Sequence, residues 1–480
     1  MASQAKAGKA AKAKTGTRQK NNSKASKAHK DALAARIRAS LLAGDPPLSD
    51  GEMDVVTDYI LAAAHDRDAG EPVIEVGTAT EPHRMMRIAI INDDMPFLVD
   101  SIAATLAGQG LVIDRLLHPV VPVRRDGEGA LQELVGANGA GEVRESMIYI
   151  ETARVDAKAR REMVSAIRAT LADVRAAVED WPRMKAAMLE DAGRITDPEG
   201  AALLSWLADD MLTQLGHVTC KRDGSFTQKM GICRKSAKDI LAPASFERAF
   251  AWFDDPGGNN RGQAPLIVKA NTVSRVHRRV PVDLFIVPLI EDGQVAALSV
   301  HAGIWTSAGL ASPPDRVPRM RQQLSHMMDR LGFDSGAHTG KALVHALTEL
   351  PHDLLIGFSE RDIERVATAM TSLADRPRPR LTLVEAPLAR HLFAFVWLPR
   401  DMMSTEVRLR ILSMLHDAIG ADLLDWSVQI EGGALAMIRF VLDIRTIEGD
   451  FDEKALDAQL QVMLRGWSEA VESELAKLED

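Results

Sequence analysis

RMMRIAIINDDMPFLVDSIAATLAG, residues 84–108, changes its hydrophobic period within a few positions. Residues 84–91 are mostly apolar and end in β-branched side chains, as in a strand covered on at least one face. From Leu98 the apolar positions Leu98, Val99, Ile102, Ala103 and Leu106 keep to one side of a 3.6-residue helix. Between the two lies a polar knot, Asn92, Asp93 and Asp94, followed by Met95, Pro96 and Phe97. Pro96 suits a first helical turn, where a missing N–H costs nothing, and Asp94 ahead of it suits a cap. A second reading makes the knot a ligand loop, because free first-turn N–H groups attract a small carboxylate.

Outward from this segment, LVIDRLLHPVVPV (111–123) is a strand candidate that Pro119 and Pro122 push toward a sheet edge. Residues 124–143 form a loose glycine-rich connection, 146–155 a strand, 157–171 an amphipathic helix and 174–181 a last short strand. The order β-α-β-β-α-β is that of the ferredoxin-like split motif. Ahead of it, 31–66 reads as short helices around the turn-rich GDPPLSDG. A second region, 200–350, opens with an expected helix at AALLSWLADDMLTQLG and continues with strands around the turn Glu291, Asp292, Gly293 and the helix PRMRQQLSHMMDRLGF. After RPRPR (376–380) come strands LTLVEA and HLFAFVWL, a helix that Ser404 caps, a hairpin across Gly432 and Gly433, and a helix from 452 to the end. The fold class is therefore α+β. The expected division is a disordered basic tail (1–30), a helical segment (31–82), a ferredoxin-like domain (83–185), a central α+β domain (195–365) and a second ferredoxin-like domain (378–480).

The composition, 46% hydrophobic and 26% charged over 480 residues, is that of a globular chain long enough for several cores. No apolar run approaches the ~20 residues of a membrane helix. Cys220 and Cys233 make neither a disulfide framework nor paired metal ligands, so a cytoplasmic location is expected. Residues 1–30 hold nine basic side chains and no acid, whereas the rest carries 49 basic and 67 acidic residues, a formal −18. The tail has no aromatic residue for base stacking, which argues against nucleic acid as a partner.

Reaction chemistry is hard to find. No G-x-G-x-x-G joins a strand to a helix, and Gly136, Gly139 and Gly141 lie in the wrong order for one. GAHTGKAL (336–343) is one residue short of a phosphate loop and has Ala342 at the hydroxyl position. Neither H-E-x-x-H nor G-x-S-x-G occurs. The expectation is no catalytic residue, no metal ligand and no cofactor in this chain. One basic group stands out: in an extended segment Arg275, His277 and Arg279 would share a face and could hold an anion, although edge strands carry such charges for solubility.

The segment at 92–102 resembles the ACT-type region of the large bacterial NAD-specific glutamate dehydrogenases. The resemblance continues in order through HPVVP (118–122), ESMIYIE (145–151), LLSWLADD (203–210), GICR (231–234), KANTVSRVHRRVPVDLFIV (269–287), GIWTS (303–307), HTGKAL (338–343) and LPRDMMSTEVR (398–408). Ile304, Trp305, Met402 and Met403 depart from the family pattern. The resemblance implies ACT-type folds and a regulatory or scaffolding role in an enzyme that oxidises L-glutamate with NAD to 2-oxoglutarate and ammonia. It also implies catalysis by domains beyond Asp480, and partnership with itself or with a separate catalytic chain. In ACT-type modules an effector's carboxylate would meet N–H groups near Met95 and Phe97, with Asn92 or Asp94, beside Asp93, holding its ammonium. The alternative is a free-standing amino-acid sensor that regulates another enzyme.

Overall fold

The expected strand at 84–91 runs on to Asp93 and pairs with the 146–155 strand as the ferredoxin-like order assigns, but its other neighbour differs from the expected one. The computed structural model describes residues 27–464 apart from 42–43, 80–83, 136–142, 236, 256–263, 335–336, 374–375, 431–433 and 448. Chain contacts divide it into two units, Met1–Asp94 with Val112–Asp156, and Met95–Leu111 with Ala157–Asp480.

In the first unit, helix α1 (Lys27–Ser40) begins inside the stretch expected as a disordered tail, and residues 1–26 lie outside the described ones. Helix α2 (Asp50–Ala64) starts at a capping box, in which Ser49 accepts from Glu52 N and Glu52 accepts from Ser49 N at 2.8 Å. Strands β1 (Val73–Ala79), β2 (Met85–Asp93), β3 (Ile113–Leu117), β4 (Val120–Arg125), β5 (Leu131–Leu134) and β6 (Val143–Thr152) form one antiparallel sheet. Its order is β1-β2-β6-β4-β5, with β3 also on β6. Leu33, Ile37 and Ile60 of the helices pack with Ala89, Ile91, Met147 and Tyr149, the alternate positions of the two central strands.

Two expectations fail in this sheet. The 111–123 segment is split at His118 and Pro119: among the described residues β3 has β6 as its one partner, whereas β4 is no edge, because residues 131–134 of the supposed loose connection pair with it as β5. The glycines 136, 139 and 141 lie outside the described residues. The helical segment 31–82 also ends in a strand, β1, which occupies the place beside β2 expected for 174–181.

In the second unit, α3 (Leu98–Ala107) starts two residues later than Pro96 implied. Its N-cap is Phe97, left-handed at φ 70° and without a side-chain cap. Helix α4 (Ala157–Ala192) continues straight through 174–181. Its buried stripe, Met163, Ile167, Leu171, Val174, Ala177, Met184 and Met188, never leaves the helical period, and this is why no strand forms there. The hydroxyls of Thr105 and Thr170 meet at 2.8 Å where α3 packs on α4.

Helix α5 (Pro198–Trp206), capped by Asp197, passes through a π turn (Leu207–Met211) into strand β7 (Leu212–Lys221). The helix expected over 201–216 stops here because Asp209 and Asp210 leave helical geometry, Asp210 at φ 61°. Strands β8 (Phe226–Gly231), β9 (Leu266–Val273), β10 (Pro281–Glu291) and β11 (Gln294–Trp305) complete the order β8-β7-β11-β10-β9, with helix α6 (Pro243–Asp254) between β8 and β9. The β10–β11 hairpin turns at Asp292 and Gly293, both at positive φ, as the acidic-glycine signal predicts.

Helices α7 (Ser307–Leu310), α8 (Met320–Leu331), α9 (His338–Glu349), α10 (His352–Leu355) and α11 (Glu360–Leu373) follow. HTGKAL thus opens a plain helix, and Gly336 lies outside the described residues. The chain ends in strands β12 (Arg380–Glu385) and β13 (His391–Pro399), helix α12 (Thr405–Ile419), strands β14 (Asp422–Ile430) and β15 (Leu435–Asp443), and helix α13 (Glu453–Met463). Ser404 caps α12 through Val407 N at 3.1 Å. Gly432, Gly433 and residues 465–480 lie outside the described set.

This last sheet is ordered β12-β13-β15-β14. Leu392, Ala394 and Val396 face Ile411, Leu415, Leu456 and Leu460 of α12 and α13. Phe393, Phe395 and Trp397 on the other face join the core that holds α8, α9 and α11. The first sheet follows the chain order ββαββββα and the last ββαββα, and with β3 and β5 set aside β1-β2-β6-β4 has the same neighbours as β12-β13-β15-β14. In each, the edge strand that a ferredoxin-like order draws last comes first. Among the described residues no helix is long and apolar enough to cross a membrane.

Candidate functional site

The polar knot closes a ladder. Asp93 and Glu145 are register partners on β2 and β6, and two carboxylates placed opposite each other repel. Arg67, in the irregular segment before β1, answers both. Its Nη2 donates to Asp93 Oδ1 at 2.6 Å and its Nη1 to Glu145 Oε1 at 2.7 Å, while its Nε reaches Glu71 O at 2.8 Å. Arg125 holds Glu145 from the other side with two bonds of 2.8 Å. Asp94 is not the cap of α3: its Oδ1 accepts from Ser146 Oγ at 2.9 Å and its N–H donates to Arg144 O at 2.9 Å. Asn92 is buried and donates to Asp93 O at 2.9 Å. His118 Nε2 lies 2.9 Å from Ser146 Oγ, and burial pushes its pKa down although Asp94 favours the charged ring. Arg67→Met is expected to cost the first unit about 2 kcal/mol, since Arg125 still neutralises Glu145 while Asp93 loses the Arg67 guanidinium. Urea unfolding monitored on that unit checks this, and an unchanged midpoint would remove Arg67 from the account.

In the second unit the structure joins residues from the two expected sites. The ring of Phe97 lies 5.4 Å from that of His277. His277 Nδ1 is 3.0 Å from Asp100 Oδ2, and its N–H donates to Ser101 Oγ at 2.8 Å. Met95, just ahead, is half-buried. The 275–279 segment is not extended, because His277 takes φ 64° in a turn that Ser274 stabilises from within. The alternation that would align Arg275, His277 and Arg279 is therefore lost. Arg275 pairs with Asp173 at 3.0 Å, and Arg279 lies against Gly108 at the C-terminal end of α3, where the helix dipole favours a cation.

Two buried clusters escaped the sequence reading. In the first, Lys269 of β9 faces Asp283 of β10 across the ladder, Nζ to Oδ1 at 2.6 Å, and Asp353 of α10 closes over it at 2.5 Å. Burial disfavours the ammonium, but the two carboxylates outweigh it and hold the Lys269 pKa above the usual lysine range. Burial pushes the Asp283 carboxyl up to about 7.

The second cluster joins α4, β7 and β11. His217 and His301 are register partners, Ser299 lies two residues before His301 on the same face, and Asp191 comes from the end of α4. All four are buried. His301 Nε2 is 2.8 Å from Asp191 Oδ2, His217 Nε2 is 2.9 Å from Ser299 Oγ, and Ser299 Oγ also bonds Asp191 Oδ2. Burial pushes His217 down to about 4. Burial works against the Asp191 carboxylate, but hydrogen bonds from His301, Ser299 and Arg194 leave its pKa below the usual range. The expectation of no metal ligands rested on spacing along the chain, whereas Asp191, His217 and His301 gather across strands with donor atoms within 4.8 Å of one another. The alternation of Ser299 and His301 within an otherwise apolar strand was the available signal.

GICR, part of the quoted resemblance, also has a physical reason. Gly231 sits at φ 58°, and a Cβ there would lie 2.0 Å from Leu215 O. Its N–H and Arg234 Nε both donate to the buried Asp180 carboxylate, at 2.7 and 2.6 Å. Burial raises the Cys233 thiol to about 12 and that of Cys220 to about 11, which keeps both unreactive.

Comparison with known proteins follows the same layout. The ACT1 domain of glutamate dehydrogenase matches residues 56–167, its helical motif 1 matches 317–376, the span of α8 to α11, and its ACT2 domain matches 380–468. The chain is 29% identical over 402 residues to the NAD-specific glutamate dehydrogenase of Halomonas elongata, covering 79% of this chain and 25% of that one. It is 28% identical over 408 residues to that of Pseudomonas aeruginosa, covering 80% and 25%, and 22% identical over 393 residues to that of Mycobacterium tuberculosis, covering 78% and 23%. The chain spans about a quarter of the length of these curated relatives.

Proposed function

We propose, from the premise that this chain belongs to the N-terminal region of the NAD-specific glutamate dehydrogenase family, that it is the regulatory and scaffolding part of such an enzyme. The reaction served is the NAD-dependent oxidation of L-glutamate to 2-oxoglutarate and ammonia, with the chemistry performed by a catalytic region that this part organises. One observation carries the reading: four strands of the first sheet repeat the neighbour order of the last sheet, and the last sheet shares a continuous apolar core with α8, α9 and α11. A β-sheet buried on both faces and fused to helices transmits displacement as a body, which suits assembly and control. The buried, unbridged cysteines suit work in the cytoplasm.

The test uses purified full chain with NAD and L-glutamate, alone and with the separately expressed catalytic region of a relative. The chain alone is expected to produce no NADH, and to associate with the catalytic region in light scattering. Sustained NADH from the chain alone, or no association, would refute the reading. Thermal shifts with the common amino acids at millimolar concentration extend the test to regulation. Selective stabilisation by one of them is expected if a small effector acts through the ACT-type modules.

A further inference from the structure

We propose that Asp191, His217, Ser299 and His301 form a closed site for one divalent cation of the zinc class. A count of protons carries the argument. Beside a long approach of Ser299 Oγ to His301 Nε2 at 3.5 Å, four contacts link the cluster: His217 Nδ1 to Gln228 O at 3.3 Å, His217 Nε2 to Ser299 Oγ at 2.9 Å, Ser299 Oγ to Asp191 Oδ2, and His301 Nε2 to Asp191 Oδ2 at 2.8 Å. Each hydrogen bond requires a proton of its own. Two neutral imidazoles and one serine supply three, so one contact sets lone pair against lone pair.

A cation removes the shortage. His217 Nδ1–H then donates to the Gln228 carbonyl, and His217 Nε2, His301 Nε2, Asp191 Oδ2 and Ser299 Oγ all turn lone pairs toward one centre. Zinc–nitrogen and zinc–oxygen bonds of about 2.0–2.2 Å set tetrahedral donors roughly 3–3.5 Å apart, within reach of a cluster whose histidine and aspartate donors already lie within 4.8 Å.

His217 and Asp191 have the outer partners that metal ligands require, whereas no protein atom among the described residues hydrogen-bonds His301 Nδ1. The Gln228 carbonyl fixes the tautomer of His217, and Arg194 Nη1 holds the other Asp191 oxygen at 2.6 Å. The ligands stand on rigid elements, two facing strands and a long helix, and are sealed from solvent, so the ion's role is structural. It fastens the end of α4 to β7 and β11.

Full chain produced in zinc-supplemented medium and purified without chelator is expected to carry about one zinc per molecule by mass spectrometry. The zinc absorption edge should show two imidazole nitrogens and oxygen, without sulfur. His301→Gln should abolish the metal. Ser299→Ala, a smaller change that spares the three strongest donors, should weaken zinc affinity about 10-fold or more. A folded wild-type chain without metal overturns the proposal, and the missing proton then resides on a histidine. Sulfur ligation, or full zinc retention in a folded His301→Gln variant, places the ion elsewhere and overturns it as well.

Discussion

Lys269→Met is expected to destabilise the second unit by about 3–5 kcal/mol, the cost of removing one partner from a buried ionic cluster. The ammonium lies between Asp283 and Asp353 at 2.6 and 2.5 Å; Lys269 and Asp283 are almost closed to water, and Asp353 is partly buried. Without it two carboxylates face each other in a largely buried space, near a third, Asp425, which Arg439 already occupies at 2.7 Å. The loss therefore comes from charge left unpaired more than from attraction removed. That distinction can be measured. A triple variant, Lys269→Met with Asp283→Asn and Asp353→Asn, is expected to recover most of the stability in urea unfolding. A single variant within about 1 kcal/mol of wild type would show that water or rearrangement answers the charges, and the account of this cluster would be wrong.

Acid should weaken the same unit through His391. This ring is fully buried on β13, neither of its nitrogens has a hydrogen-bond partner, and burial, helped by the neighbouring Arg390, pushes its pKa down to about 3. The folded chain keeps His391 neutral, while the unfolded chain protonates it near pH 6.5, so the unfolded state binds more protons below that point. Stability is thus fully present above about pH 6.5 and is lost as pH falls toward 3, at about 1.4 kcal/mol per pH unit and about 4 kcal/mol across the window. His391→Phe, close in volume and unable to take a proton, should flatten the dependence. The difference in urea midpoint between variant and wild type should therefore grow steadily from neutral pH downward. Parallel profiles would assign acid sensitivity to other groups.

The features that were legible are those whose cause lies within a few residues. The change of period between β2 and α3, the Ser404 cap of α12 and the Asp292–Gly293 hairpin were all read correctly, since each depends on local side-chain spacing or on φ. Misreadings arose where two local causes competed. VRAAVEDW allows a short strand, but it also continues the stripe of α4, and the longer pattern prevailed. Asp94 could cap a helix, yet Ser146 and Arg144 offered it partners on a strand 50 residues away in sequence.

Sequence pattern established the α+β class and most of the strands and helices, because periodicity and turn chemistry act over a handful of positions. Pairing does not. That β1 flanks β2, that Lys269 meets Asp283, and that two histidines meet Asp191 follow from register between strands distant along the chain. Register is chosen by burying both faces of a sheet at once, a condition that exists only after the chain has folded.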